Sequence, residues 1–293
     1  MLYDIRLTIS YSYQNPAAAN RTMLRMQPRT GTTQRLISGM VSIDPTPDFR
    51  LDGQDFFGNR RTEIAYDGHL SSYSFRFAGR VERVFSPDAF DLSCPLRDLA
   101  QEVAGVHSIS PDAPHHFLGP SPRIGSVGDI VSFAHAQLSA ADPELSTWEA
   151  VSRISHALHG EIEFDPGATD VTTPPDIAFQ ARRGVCQDIS HIMIAALRGL
   201  GIPAGYVSGF LRTEPPEGEA RLEGTDAMHA WVRAWCGTKV GWVDIDPTND
   251  MRVGADHITV AIGRDYADVA PVIGSLRTAG MHATSHSVDV VPI

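Results

Sequence analysis

The sequence predicts an α+β protein, with strands at the N-terminus, helices through the middle and a β-hairpin towards the C-terminus. Three observations carry this. Apolar side chains alternate at Tyr3, Ile5, Leu7, Ile9, Tyr11 and Tyr13, and again at Tyr73, Phe75 and Phe77, the period of a half-buried strand. Residues 146–160 and 185–200 instead repeat their apolar side chains at helical spacing. Two short apolar runs then flank Gly237-Thr238, a glycine-first pair that suits a type II′ turn.

At 293 residues, the chain can bury a core without metal or disulfide staples. Three units are expected: an N-terminal β domain over 1–85, a helical and loop-rich connection over 86–145, and a core over 146–293. Within the first, Gly58-Asn59 and Asp67-Gly68 are turn signals around a short strand. "PDAPHHFLGPSPRIG" reads as loop, and 130–138 as helix. Ser146 and Glu149 form a capping box ahead of Trp148, Val151, Ile154 and Leu158, with Gly160 as the stop.

The net charge of −11 gives no basic surface for nucleic acid or anionic lipid. The three cysteines are odd in number and lack C-x-x-C spacing, which predicts neither a disulfide framework nor a zinc knuckle. "MLYDIRLTISYSY" has no basic region followed by an apolar stretch, and no segment is apolar for long enough to span a membrane. A soluble protein of the reducing cytoplasm is the expectation.

The chemistry begins in "RRGVCQDISHIMIAALRGLGIPAGYVSGF". Val185, Ile189, Ile192, Met193, Ala196, Leu197 and Leu200 share one face of a helix, which Gly201 and Pro203 end. Gly184 allows a tight entry, so Cys186 falls at or near the amino end. Free amide N–H groups and the helix dipole there favour a thiolate and can receive an oxyanion. Cys94 and Cys236 have no comparable setting and are expected to be structural.

A nucleophilic sulfur needs a histidine to share its proton and a third group to orient that histidine. "MHAWVRAW" and "GWVDIDPTND" supply both. With a two-residue loop at Gly237-Thr238, His229 faces Asp246, Trp231 faces Asp244 and Arg233 faces Trp242. Opposed side chains have Cβ atoms roughly 4.5–5.5 Å apart. That register selects Asp246 over the diagonal Asp244, and a β-bulge would shift it.

These stretches resemble the core motifs of the bacterial transglutaminase-like family, whose members are often labelled cysteine proteases. "FDPGATDVTTP" and "AIGRDYADVAPV" match the same family, and the N-terminal β segment resembles the domain that precedes its core. The resemblance spans nearly the whole chain and is strongest from about 163 to 274. It implies a papain-like transglutaminase core, in which a nucleophile helix packs on an antiparallel sheet. It maps a Cys-His-Asp triad onto Cys186, His229 and Asp246, in agreement with the pairing above. Gln187 stands where many relatives would carry arginine.

The implied chemistry is acyl transfer through a thioester on a peptide or protein substrate. Hydrolysis is favoured over transfer to an amine, because no feature marks an amine pocket. No cofactor, metal, nucleic acid or membrane is called for. A non-catalytic binding protein that keeps the fold is the rival, and retention of all three residues argues against it. Trp231 is a candidate lining residue of the substrate cleft. Ser190 is expected to hydrogen-bond nearby backbone, and His191, Arg264 and Asp265 to be structural. The pairs His115-His116, His156/His159 and His282/His286 lack a carboxylate or cysteine to complete a metal site.

Overall fold

A computed structural model describes residues 1–84, 90–138, 143–213 and 226–293. The predicted N-terminal strands form as β1 (Leu2–Leu24), β2 (Gln34–Asp44), β3 (Phe49–Gln54), β4 (Arg60–Tyr66) and β5 (Leu70–Arg83). The alternating side chains point inward as their period requires: Tyr3, Ile5, Leu7, Ile9, Phe75 and Phe77 are all buried. Fully burying one such side chain stabilises the fold by about 1.5–3 kcal/mol. The domain boundary expected at residue 85 lies outside the described residues.

Helices follow: α1 (Leu99–Ala104), α2 (Gly128–Leu138) and α3 (Thr147–Glu161). Ser146 caps α3 as predicted, its hydroxyl accepting the Glu149 N–H at 3.1 Å. Gly160 does not end that helix, which continues to Glu161. A two-residue parallel bridge between β6 (Glu163–Phe164) and β7 (Arg183–Gly184) then encloses α4 (Pro175–Ala181). The next helix, α5 (Cys186–Gly199), begins at the cysteine itself.

The rest of the core is a five-stranded antiparallel sheet, ordered β11-β10-β9-β8-β12. Its strands are β8 (Ala204–Leu211), β9 (Ala227–Trp235), β10 (Trp242–Asp246), β11 (Met251–Arg252) and β12 (His257–Gly263). Helix α5 packs against β8 and β9 on one side and against α2, α3 and α4 on the others. Every side chain from Gln187 to Leu197 is consequently buried, where the sequence pattern implied a single apolar face.

After the short α6 (Tyr266–Val269), β13 (Val272–Arg277) and β14 (His282–Pro292) leave the core and return to the N-terminal sheet. β14 pairs along the first half of β1, from Tyr3 to Tyr13, and β13 along its second half. The assignment of all of 146–293 to the core is corrected here: both ends of the chain build the β domain. That domain also seals the outer edge of β12. The Gln34 side-chain amide pairs with the N–H and C=O of Thr259, both at 2.8 Å, and Asn59 does the same at Ile262. Two primary amides thus act as a partner strand across the bulge at Val260. Among the described residues no helix is long and apolar enough to cross a membrane.

Candidate active site

Cys186 occupies the first position of α5, with Val185 at the cap in extended conformation. The first turn is locked by Asp188. Its Oδ2 accepts the Val185 N–H at 2.8 Å and the Thr169 hydroxyl at 2.6 Å. Gly184 makes this possible, since a Cβ there would lie 2.8 Å from the Asp188 side chain. Gln187 donates to the Val171 carbonyl at 3.3 Å, so the same turn also clasps the approach loop. Burial pushes the Asp188 carboxyl above its ordinary range, against the opposing pull of these hydrogen bonds.

His229 and Asp246 meet as predicted, but by a different register. β9 and β10 pair Trp235 with Trp242 and Arg233 with Asp244, so six residues, 236–241, join the strands and the register moves by two from that of a two-residue turn. Gly237 (φ 99°) and Gly241 (φ 71°) take the left-handed region, and Cys236 N–H to Gly241 C=O closes the turn at 2.8 Å. Glu102 fixes it further by accepting the N–H and hydroxyl of Thr238, at 2.6 and 2.8 Å. A shift of two residues preserves the side-chain faces. Asp246 therefore lies diagonal to His229 instead of opposite it, within reach of an imidazole.

The His229 Nε2–H donates to Asp246 Oδ2 at 2.7 Å, and Cys186 is the other neighbour that favours the charged form of the ring. Burial opposes charge on His229, yet Asp246 and Cys186 outweigh it and raise its pKa to about 10. Burial likewise opposes charge on Asp246. Hydrogen bonds from His229, His257 and Asn249 hold its carboxyl well below the usual carboxylate range. Both shifts point to a charged pair at neutral pH.

Two residues of this site carried no sequence signal. Asn249 donates its amide to Asp246 Oδ2 at 2.7 Å, and His257 donates to the same oxygen at 3.1 Å. The other oxygen accepts the N–H groups of Thr248 and Asn249. The loop carrying Asn249 is pinned to α3, with His156 on Asp250 at 2.6 Å and His159 on the Thr248 carbonyl at 3.0 Å. That is the role of this histidine pair.

Trp231 is corrected. It is fully buried, packed with Val207 and Val253, and its indole donates to Asp244 at 3.4 Å. A side chain with no exposed surface cannot line an open cleft. The Ser190 hydroxyl, expected on nearby backbone, has no hydrogen-bond partner among the described residues. His191 accepts the Tyr266 N–H, and burial lowers its pKa to about 4, as suits a neutral structural imidazole. Asp265 caps α6 through the Ala267 N–H, and Arg264 pairs with Asp268.

His229, Asp246 and His257 present ligand-type atoms within 4.8 Å of one another. In this structure the three are joined by hydrogen bonds about one carboxylate oxygen. Cys94 and Cys236 sit apart from the site; burial raises both thiols, Cys236 to about 12.

A cysteine at the start of a buried helix, set against an antiparallel sheet that bears a His–Asp pair, is the transglutaminase-like class of fold. Residues 132–247 match the model of the transglutaminase-like superfamily, and 3–82 that of the bacterial transglutaminase-like N-terminal region. The chain belongs to this superfamily. It is 29% identical over 316 residues to an uncharacterised protein of Mycobacterium tuberculosis, covering 99% of this chain and 92% of that one. To an uncharacterised protein of Mycobacterium leprae it is 30% identical over 269 residues, covering 90% and 89%. A solved structure of a candidate cysteine protease from Cytophaga hutchinsonii superposes with a TM-score of 0.75 at 20% identity, covering 99% of this chain and 90% of that one. That likeness establishes the fold.

Proposed function

We propose that the protein is an acyl-transfer enzyme with Cys186 as nucleophile, His229 as acid and base, and Asp246 as the group that orients His229. The observation that carries this is the placement of Cys186 at the start of α5, beside an imidazole that Asp246 holds at 2.7 Å and whose charge Cys186 favours. The sulfur attacks a peptide or carboxamide carbonyl, forming a C–S bond and a tetrahedral oxyanion that the Cys186 N–H can receive. His229 passes its proton to the nitrogen as the C–N bond breaks, leaving a thioester and a free amine. Water then gives a proton to His229, attacks the thioester and releases the acid and the thiol. Hydrolysis is the favoured outcome, because water needs no dedicated acceptor pocket. Three free cysteines suit a reducing compartment such as the cytoplasm.

Alkylation with iodoacetamide followed by peptide mass spectrometry should mark Cys186 well ahead of Cys94 and Cys236. Cys186→Ala should lose that label while melting near the wild-type temperature. Equal labelling of Cys94 in the wild type would overturn the assignment. With a glutamine-containing casein and a fluorescent primary amine, free carboxylate should form and no amine should be incorporated. Incorporation would make the enzyme a transglutaminase.

A further inference from the structure

We propose that His257 is a positioning residue of this site: a neutral imidazole that holds the Asp246 carboxylate for His229 and is itself held by the N-terminal β domain. The proposal rests on the acyl-transfer reading for its kinetic test.

His257 is the first residue of β12 and is 1% exposed. The Gly254 N–H points at its Nδ1 from 3.3 Å, so Nδ1 offers a lone pair and the ring proton sits on Nε2. That Nε2–H reaches Asp246 Oδ2 at 3.1 Å, the oxygen that also takes His229 at 2.7 Å. The two imidazoles are therefore not equivalent. His229 is the ring whose charge Cys186 influences, and on the acyl-transfer reading it must gain and lose a proton. A second proton on His257 would oppose the Gly254 N–H, so this ring stays a single donor. It fixes the carboxylate in space yet leaves its full negative charge for His229. Trp231 closes the remaining side, edge-on to His257 with ring centres 5.2 Å apart.

The turn that aims His257 is tethered from outside the core. Arg83 of β5 donates to the Gly254 carbonyl at 2.8 Å, and the Tyr3 hydroxyl of β1 to Asp256 at 3.0 Å. Arg212 also pairs with Asp256 at 3.0 Å. An unbroken series of contacts thus runs from the β domain to Asp246, which gives that domain a part in the chemistry.

Long-range 1H–15N spectra of the wild type should show His257 as the Nε2–H tautomer. His257→Leu should raise the pH at which Cys186 alkylation is half-maximal by about one unit. His257→Gln keeps a donor at similar reach and should return that midpoint to within about half a unit of the wild type. Arg83→Met should move the midpoint in the same direction as His257→Leu. A wild-type pH profile in folded His257→Leu, or a doubly protonated or Nδ1–H His257 in the wild type, overturns the proposal. Should His257→Leu not fold, the wild-type tautomer decides. If Cys186 reacts no faster than Cys94 in the wild type, the acyl-transfer reading fails, while the tautomer still decides the placement of His257.

Discussion

One carboxylate gathers the site. Five donors converge on Asp246: His229, His257 and the Asn249 amide on one oxygen, and two backbone N–H groups on the other. With every lone pair engaged, a buried charge that would otherwise be costly becomes tolerable. The pair it forms with His229 must register in stability. His229 holds its proton in the folded state up to about pH 10, against an ordinary value of 6.5. Its contribution is therefore complete below that ordinary value and fades as pH rises through about 10. Asp246 is shifted down, so its contribution is present above the ordinary carboxylate range and fades as pH falls below it. The difference in melting temperature between wild type and Asp246→Asn should then be greatest between roughly pH 4 and 6.5 and shrink towards pH 10. Calorimetry across that range checks it, and a difference that stays level to pH 10 would argue against a charged pair. Cys186, His229 and Asp246 were legible because helix start, strand parity and residue type each leave a local mark. His257 and Asn249 were not, since their part in the site depends on how two turns fold back, and no period records that.

Elements were legible where a period governs them and illegible where a distant group does. The apolar spacing located α5, but not that α2, α3 and α4 would bury its remaining faces. Gly237-Thr238 marked the hairpin, yet its loop length is set by Gly241 and by Glu102, more than a hundred residues upstream. Gly209 shows how closely the elements meet. A Cβ at that point of β8 would lie 2.2 Å from the Ile258 carbonyl and 2.4 Å from the Trp231 ring. The backbone contact leaves no room for a side chain to swing aside. Gly209→Ala should thus cost about 1–3 kcal/mol, read as a lower urea midpoint with an unchanged slope. Because Trp231 packs on His257, the same variant should also slow Cys186 alkylation. Wild-type stability and reactivity together would show that β8 yields at Gly209 without disturbing Trp231.

At the scale of the molecule, the β domain and the core are one structure through β1. Its first half is flanked by β5 and β14, its second by β4 and β13, so removing the last two strands bares one side along most of its length. An exposed edge with an alternating apolar face invites pairing with other chains. Val288 and Val290, both fully buried, would leave the core as well, at about 1.5–3 kcal/mol each, against a total stability of about 5–15 kcal/mol. The loss also reaches the site. Asp226, just ahead of the strand that bears His229, accepts the Val290 N–H at 2.6 Å, and Tyr3 of β1 steadies the turn that aims His257. A chain ending at Ala270 retains Cys186, His229, Asp246 and His257, yet it is expected to give no cooperative calorimetric transition and no selective labelling of Cys186. Were it to melt as one unit and react at the wild-type rate, the core would stand alone and the β domain would have no part in holding the site.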